Sequence, residues 1–267
     1  MALLKVLLLL LGLGESDTLE TLETLPVVPG VSMNSHVSLH KRIIGGQNCD
    51  DEERLYHVRL QSNNGTQEIP CGGSLIHPEW ILTAAHCWNS EPGWTTTAKL
   101  GVHPRTATQD KQIIQHNPVI YVDQSHQQHD IMLLKLQRPV RNIHPVRLPR
   151  CNNRITIGAT VQLAGAGSTI TGPNNLRLES APLPPHLQCV DMKVSGFVFK
   201  KTSGHVFFAE ALNKDMTLGD SGGGVVFNKK IYGVIAGSGK DYAFQNPVIS
   251  MVVCEYMEWI SKTIGLK

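Results

Sequence analysis

The sequence has almost no net charge. Its 24 Lys and Arg against 22 Asp and Glu leave +2 over 267 residues. A near balance of this kind gives no electrostatic case for nucleic acid or an anionic membrane as partner. No tract of basic residues interleaved with aromatics offsets it. Internal repeats and low-complexity linkers are missing from residues 43–267, so a repeat array is excluded. Long apolar runs are missing too. The N-terminal "MALLKVLLLLLGLGES" is too short to span a bilayer and lacks a second, stop-transfer flank, and no later stretch is longer. Charged residues are few, at 17%, against 41% hydrophobic. That is the balance of a globular chain with a sizeable core rather than a disordered one.

The apolar start reads as a secretory signal peptide over residues 1–16, ending in small residues near Gly14 and Ser16. Residues 17–42 mix Thr, Glu, Pro, Ser and His without periodicity and read as a pro-segment. This segment closes in "HKRIIGG", a dibasic pair before two isoleucines and two glycines, which a processing protease could reach. The expected location is therefore extracellular, or a secretory granule. Six cysteines in such a chain imply disulfides, although their number does not fix the pairing. Asn64-Gly65-Thr66 is a glycosylation sequon in a polar loop.

From Ile43 onward the signals are β. Short apolar or alternating runs such as "YHVRLQS", "WILTAA", "DIMLLKL", "ATVQLAGAG", "KIYGVIAG" and "VISMVV" are separated by Gly, Pro, Asn and Asp clusters. That spacing suggests a sandwich or barrel. The one convincing helix is "CEYMEWISKTIGLK", where Tyr256, Trp259, Ile260 and Ile264 recur at helical spacing.

The chemistry concentrates in "LGDSGGGVV". Glycines weaken regular structure but allow positive φ and close approach of backbone to a ligand. Acyl transfer by a serine needs a base for the hydroxyl proton, a carboxylate to hold that base, and backbone donors facing the oxyanion. Ser221 is the candidate nucleophile. His86, in "LTAAHCW", is the candidate base, and Asp130, opening "DIMLLKL", the candidate carboxylate. Each has a plain structural alternative: a surface turn, a satisfied core histidine, a strand-initiating residue. Their order, His then Asp then Ser, is not that of subtilisin-type enzymes or α/β-hydrolases.

These four segments, "RIIGG", "LTAAHC", "DIMLLKL" and "GDSGG", together resemble the trypsin/chymotrypsin-like serine proteases across essentially all of 43–267. The resemblance implies an all-β fold of two antiparallel six-stranded barrels with a C-terminal helix and the site in the cleft between them. It implies Ser221 as nucleophile, His86 as general base then acid, and Asp130 as its orienter. The amides of Gly219 and Ser221 would form the oxyanion hole. Cleavage after Arg42 by a trypsin-like activator would free the α-amine of Ile43 to pair with Asp220. Disulfides Cys71–Cys87 and Cys151–Cys254 follow from the same resemblance. It also implies protein or peptide substrates and a protease inhibitor as a further partner; no cofactor and no metal are expected.

Parts of the pattern are broken. The usual partners of Cys49 and Cys189 fall at Leu178 and Phe208, so the two cysteines either are free thiols, the preferred expectation, or pair in a way the family does not use. Asp215 stands six residues before Ser221, where a pocket-floor aspartate would favour cleavage after Lys or Arg; its plain alternative is a loop acid. Thr217 and Lys240 replace the pocket disulfide. "AGSG" at 236–239, including Gly237, replaces the family's Ser-Trp-Gly strand. Val248 replaces a wall glycine and should narrow the pocket. Ala166 replaces a tryptophan and Gly224 a proline. Two functions follow as expectations: a secreted, zymogen-activated serine endopeptidase, or a protease-like binding or scaffold protein with a decayed pocket.

Overall fold

The computed structural model describes residues 43–168, 170–178, 184–239 and 241–266. The signal peptide, the pro-segment with Arg42, and Lys240 lie outside the described residues.

Strand β1 (Gln47–Asn48) leads into the first half, which holds β2 (His57–Asn63), β3 (Glu68–His77), β4 (Trp80–Thr83), β5 (Thr95–Leu100), β6 (Asp110–Ile113), β7 (Val119–Val122) and β8 (Gln128–Lys135). The second half holds β9 (Thr160–Gly165), β10 (Gln188–Lys200), β11 (Gly204–Glu210), β12 (Gly224–Phe227), β13 (Lys230–Gly237) and β14 (Val248–Val252), followed by helix α1 (Met257–Ile264). The first half forms one antiparallel sheet in the order β6-β5-β2-β3-β4-β8-β7. The second runs β10-β11-β14-β13-β12-β9 and closes through β9–β10, a six-stranded barrel with β1 added at β10. The all-β, chymotrypsin-like fold expected from the sequence is thus the fold observed; its first half is a seven-stranded sheet.

Alternation builds both cores. In β2, His57, Val58, Leu60 and Ser62 are buried while Arg59 and Gln61 face outward, the period-two pattern of a strand with one wet face. Leu75, Ile81, Leu82, Ile131 and Leu133 fill the first core, and Val161, Leu163, Phe207 and Val225 the second. Helix α1 buries Ile260 and Ile264 in the first cluster, beside Tyr256. The C-terminal segment therefore joins the core of the half farther away in sequence.

Three disulfides are present: Cys71–Cys87, Cys151–Cys254 and Cys49–Cys189. The first two are the pairs the resemblance implied. The third corrects the expectation of two free thiols. Its cause is strand pairing. Gln47 and Asn48 lie opposite Cys189 and Gln188, and the Cys49 N–H donates to the Leu187 carbonyl at 3.0 Å. The two Cα atoms come within 4.9 Å although 140 residues separate them, inside the range a disulfide requires.

Candidate active site

The register of β4 on β8 places the first two residues. Thr83 lies opposite Met132 and Leu82 opposite Leu133. The chain leaves β4 into a short 3-10 helix at Ala85–Cys87, which brings His86 against Asp130, two residues before Met132. The Asp130 carboxylate accepts the His86 backbone N–H at 2.9 Å and lies 2.8 and 3.0 Å from Nδ1. One carboxylate thus fixes both the main chain and the ring. With Nδ1 as the donor, Nε2 keeps its lone pair. The His86 side chain is 42% exposed and that of Asp130 18%, so the ring can meet a substrate while the carboxylate sits behind it. The disulfide Cys71–Cys87 anchors the turn to β3.

Ser221 comes from the other half. Its carbonyl accepts the Gly72 N–H of β3 at 2.6 Å, and the Cys87 sulfur lies 3.7 Å from the same oxygen. The glycines around it make this approach possible. Gly222 sits at φ +81°, and a Cβ there would fall 2.2 Å from Thr83 Oγ1 and 2.3 Å from the Gly72 oxygen. Gly219 sits at φ +97°, a left-handed region open to glycine at little cost. Among the described residues no acceptor takes the amide of Gly219 or Ser221.

Asp220 is fully buried beneath this turn. Its carboxylate accepts the Gly167 N–H at 2.7 Å and the Thr217 N–H at 2.8 Å. Burial pushes its pKa up to about 6, against the lowering effect of those hydrogen bonds. Ile43 is also buried, in the core cluster of the barrel with Met216 and Val225.

A cleft of about 600 Å³ runs from Ser221 past Leu218, Ile235 and Gly237. Gly237 is among its lining residues. Val248 is packed in the barrel core and pairs with Ala209, a position reached because β14 runs beside β11. Asp215 lies under the cleft, 1% exposed. Its Oδ2 is 2.6 Å from Nη2 of Arg177, which sequence reading did not single out. No local signal marks Arg177: it lies in a polar stretch 38 residues from Asp215.

Thr217, at a position of the missing pocket disulfide, donates through Oγ1 to the Ser168 carbonyl at 2.6 Å. The Cys71 and Cys87 sulfurs and a His86 ring nitrogen lie within 4.8 Å of one another, but the two sulfurs are bonded to each other. His129 is buried, with its Nδ1 3.0 Å from the Tyr256 hydroxyl.

A family model described as Trypsin matches residues 43–260. Trypsin I-P1 of Gallus gallus is 33% identical over 240 residues, covering 84% of this chain and 90% of that protein. Serine protease 1 of Rattus norvegicus is 32% identical, covering 84% and 90%. Beta-fibrinogenase brevinase of Gloydius blomhoffii is 32% identical, covering 84% and 96%. Among solved structures, neuropsin, a serine protease expressed in the limbic system of mouse brain, superposes with a TM-score of 0.66 at 24% identity, over 82% of this chain and 98% of that one; this likeness concerns the fold. The chain belongs to the trypsin family of serine proteases. It is accordingly a hydrolase of protein substrates. Among the described residues no helix is long and apolar enough to cross a membrane.

Proposed function

We propose that this chain is a secreted serine endopeptidase, made as a zymogen and activated by cleavage after Arg42. The observation that carries the reading is the double hold of Asp130 on His86, in a turn whose next residue, Cys87, places its sulfur 3.7 Å from the Ser221 carbonyl oxygen. In this reading Ser221 Oγ attacks the carbonyl carbon of the scissile bond and His86 Nε2 takes its proton. Asp130 keeps Nδ1 protonated and stabilises the imidazolium. The oxyanion receives the amides of Gly219 and Ser221, a contribution worth about 3–4 kcal/mol per donor in related chemistry. The imidazolium then protonates the leaving amine, and water repeats the sequence on the acyl-enzyme.

Activation has physical support in Asp220. Among the described residues Asp220 has no ion-pair partner, only the more distant charge of Arg177; burying a carboxylate so is costly, and its raised pKa records that cost. The α-ammonium of Ile43, freed by cleavage, would supply the missing charge from a residue already buried in the same barrel. Such a pair acts as a switch more than as net stabilisation. The dibasic Lys41-Arg42 suits a trypsin-like activator. Three disulfides favour an oxidising compartment. Asn64 stands in an exposed turn, its Oδ1 accepting the Thr66 and Gln67 N–H groups, and is the proposed glycosylation site.

The test is hydrolysis of a mixed peptide library by the full chain before and after verified cleavage at Arg42. Turnover that appears on cleavage and is absent from Ser221→Ala supports the reading. No turnover by the cleaved wild type would favour the binding or scaffold alternative.

A further inference from the structure

The floor of the cleft is already occupied. Asp215 Oδ1 accepts the Met216 N–H at 2.7 Å, and Oδ2 accepts both the Phe244 N–H at 2.7 Å and Arg177 Nη2 at 2.6 Å. Arg177 Nη2 also donates to Ser238 Oγ at 2.9 Å, and Nη1 donates to the Met216 carbonyl. A carboxylate, a carbonyl and a hydroxyl are the partners a substrate guanidinium entering this cleft would need. An arginine of the chain itself holds all three. Its side chain is 9% exposed.

This arginine is held in place by its own loop. The Arg177 N–H donates to the Asp241 carbonyl at 3.0 Å, and the Ala243 N–H donates to the Asn175 carbonyl at 2.9 Å. Leu176 bridges to Tyr242. The guanidinium therefore arrives with its backbone fixed, at a low entropic cost. The Arg177 cation and the Asp215 anion cancel, and a second cation in the cleft would lie near Arg177, where like charges repel. What remains open is lined by the apolar Leu176, Met216, Leu218 and Ile235 together with Thr217 and Asp241.

We propose that Arg177 is the specificity-determining residue of this protease: it neutralises Asp215 and turns the cleft from Lys/Arg to uncharged, mainly apolar side chains before the scissile bond. The inference rests on the endopeptidase reading above. Removing the guanidinium exposes Asp215, so cleavage after Lys and Arg should emerge where the wild type has little.

The experiment uses the full chain, activated at Arg42 by an immobilised protease that is removed before assay. Ser221→Ala, treated identically, is the blank. A fluorophosphonate probe counts working active sites in each preparation. Peptides varied at the residue before the scissile bond then give kcat/KM per active site. Arg177→Ala and Arg177→Gln should each gain on the order of 100-fold on Lys and Arg peptides. Arg177→Ala/Asp215→Ser should lose that gain, and Arg177→Lys, which keeps the cation, should not show it. Should Arg177→Ala fold poorly, the Gln variant carries the comparison. A wild type that cleaves after Lys or Arg as well as these variants overturns the proposal, as does probe-reactive Arg177→Gln without the gain. A wild type that fails to react with the probe overturns the endopeptidase reading itself, and the two failures are thereby distinguished.

Discussion

Asp130 holds two nitrogens of one residue, the backbone N–H of His86 at 2.9 Å and its Nδ1 at 2.8 Å. Replacing one carboxylate oxygen by an amide nitrogen would put a donor where an acceptor is needed and favour the wrong ring tautomer. Asp130→Asn is expected to leave folding intact and to lower kcat by about 10⁴-fold, read as peptide turnover per active site. A loss below tenfold would show that Asp130 does not orient His86.

Asp220 should make the uncleaved chain less stable as pH rises. Its folded pKa of about 6 stands above the ordinary 3.8. Between those values the folded chain binds a proton that the unfolded chain releases. Stability therefore falls from about pH 4 to pH 6 and then levels, by about 3 kcal/mol for this group. Urea midpoints of the precursor and of Asp220→Asn, compared over that range, isolate the effect. Cleavage after Arg42 should weaken the slope, because the new ammonium favours the carboxylate. An identical slope in Asp220→Asn would contradict the assignment.

His57 should act in the opposite direction. Burial first, then the positive neighbours Arg59, His103 and Arg54, lower its pKa from 6.5 to about 3. The unfolded chain takes up a proton below pH 6.5 that the folded chain refuses. Stability is thus lost as pH falls from about 6.5 to 3, by about 5 kcal/mol at most. His57→Gln should flatten this acid limb in the same urea series. An unchanged limb would place the cause elsewhere.

The Cys49–Cys189 bond closes a 140-residue separation. Thiol titration of the chain unfolded without reductant should find no free thiol, where two would contradict the pairing. Cys49→Ser/Cys189→Ser is expected to cost about 5 kcal/mol by the chain-entropy account, read as a lowered denaturation midpoint.

What was legible in the sequence was mostly local. The runs at "WILTAA", "DIMLLKL" and "KIYGVIAG" announce β4, β8 and β13, because alternation and turn residues act over a few positions. The C-terminal helix was legible for the same reason, as Tyr256, Ile260 and Ile264 bury one stripe. The hairpin β10–β11 was not. Phe197, Val198 and Phe199 are all partly exposed near its tip, so its outer part shows no alternation. His86, Asp130 and Ser221 could be singled out because each sits in a distinctive short segment. Cys49–Cys189 and Arg177–Asp215 could not, since each depends on where distant loops meet.

The central claim is that Ser221 is a nucleophile, and covalent trapping tests it most directly. Full-length chain cleaved after Arg42 is treated with a fluorophosphonate, digested and mapped by mass spectrometry. One adduct is expected, on Ser221, lost in His86→Ala and formed much more slowly before cleavage. A fully cleaved, folded chain that gains no adduct on Ser221 would contradict it.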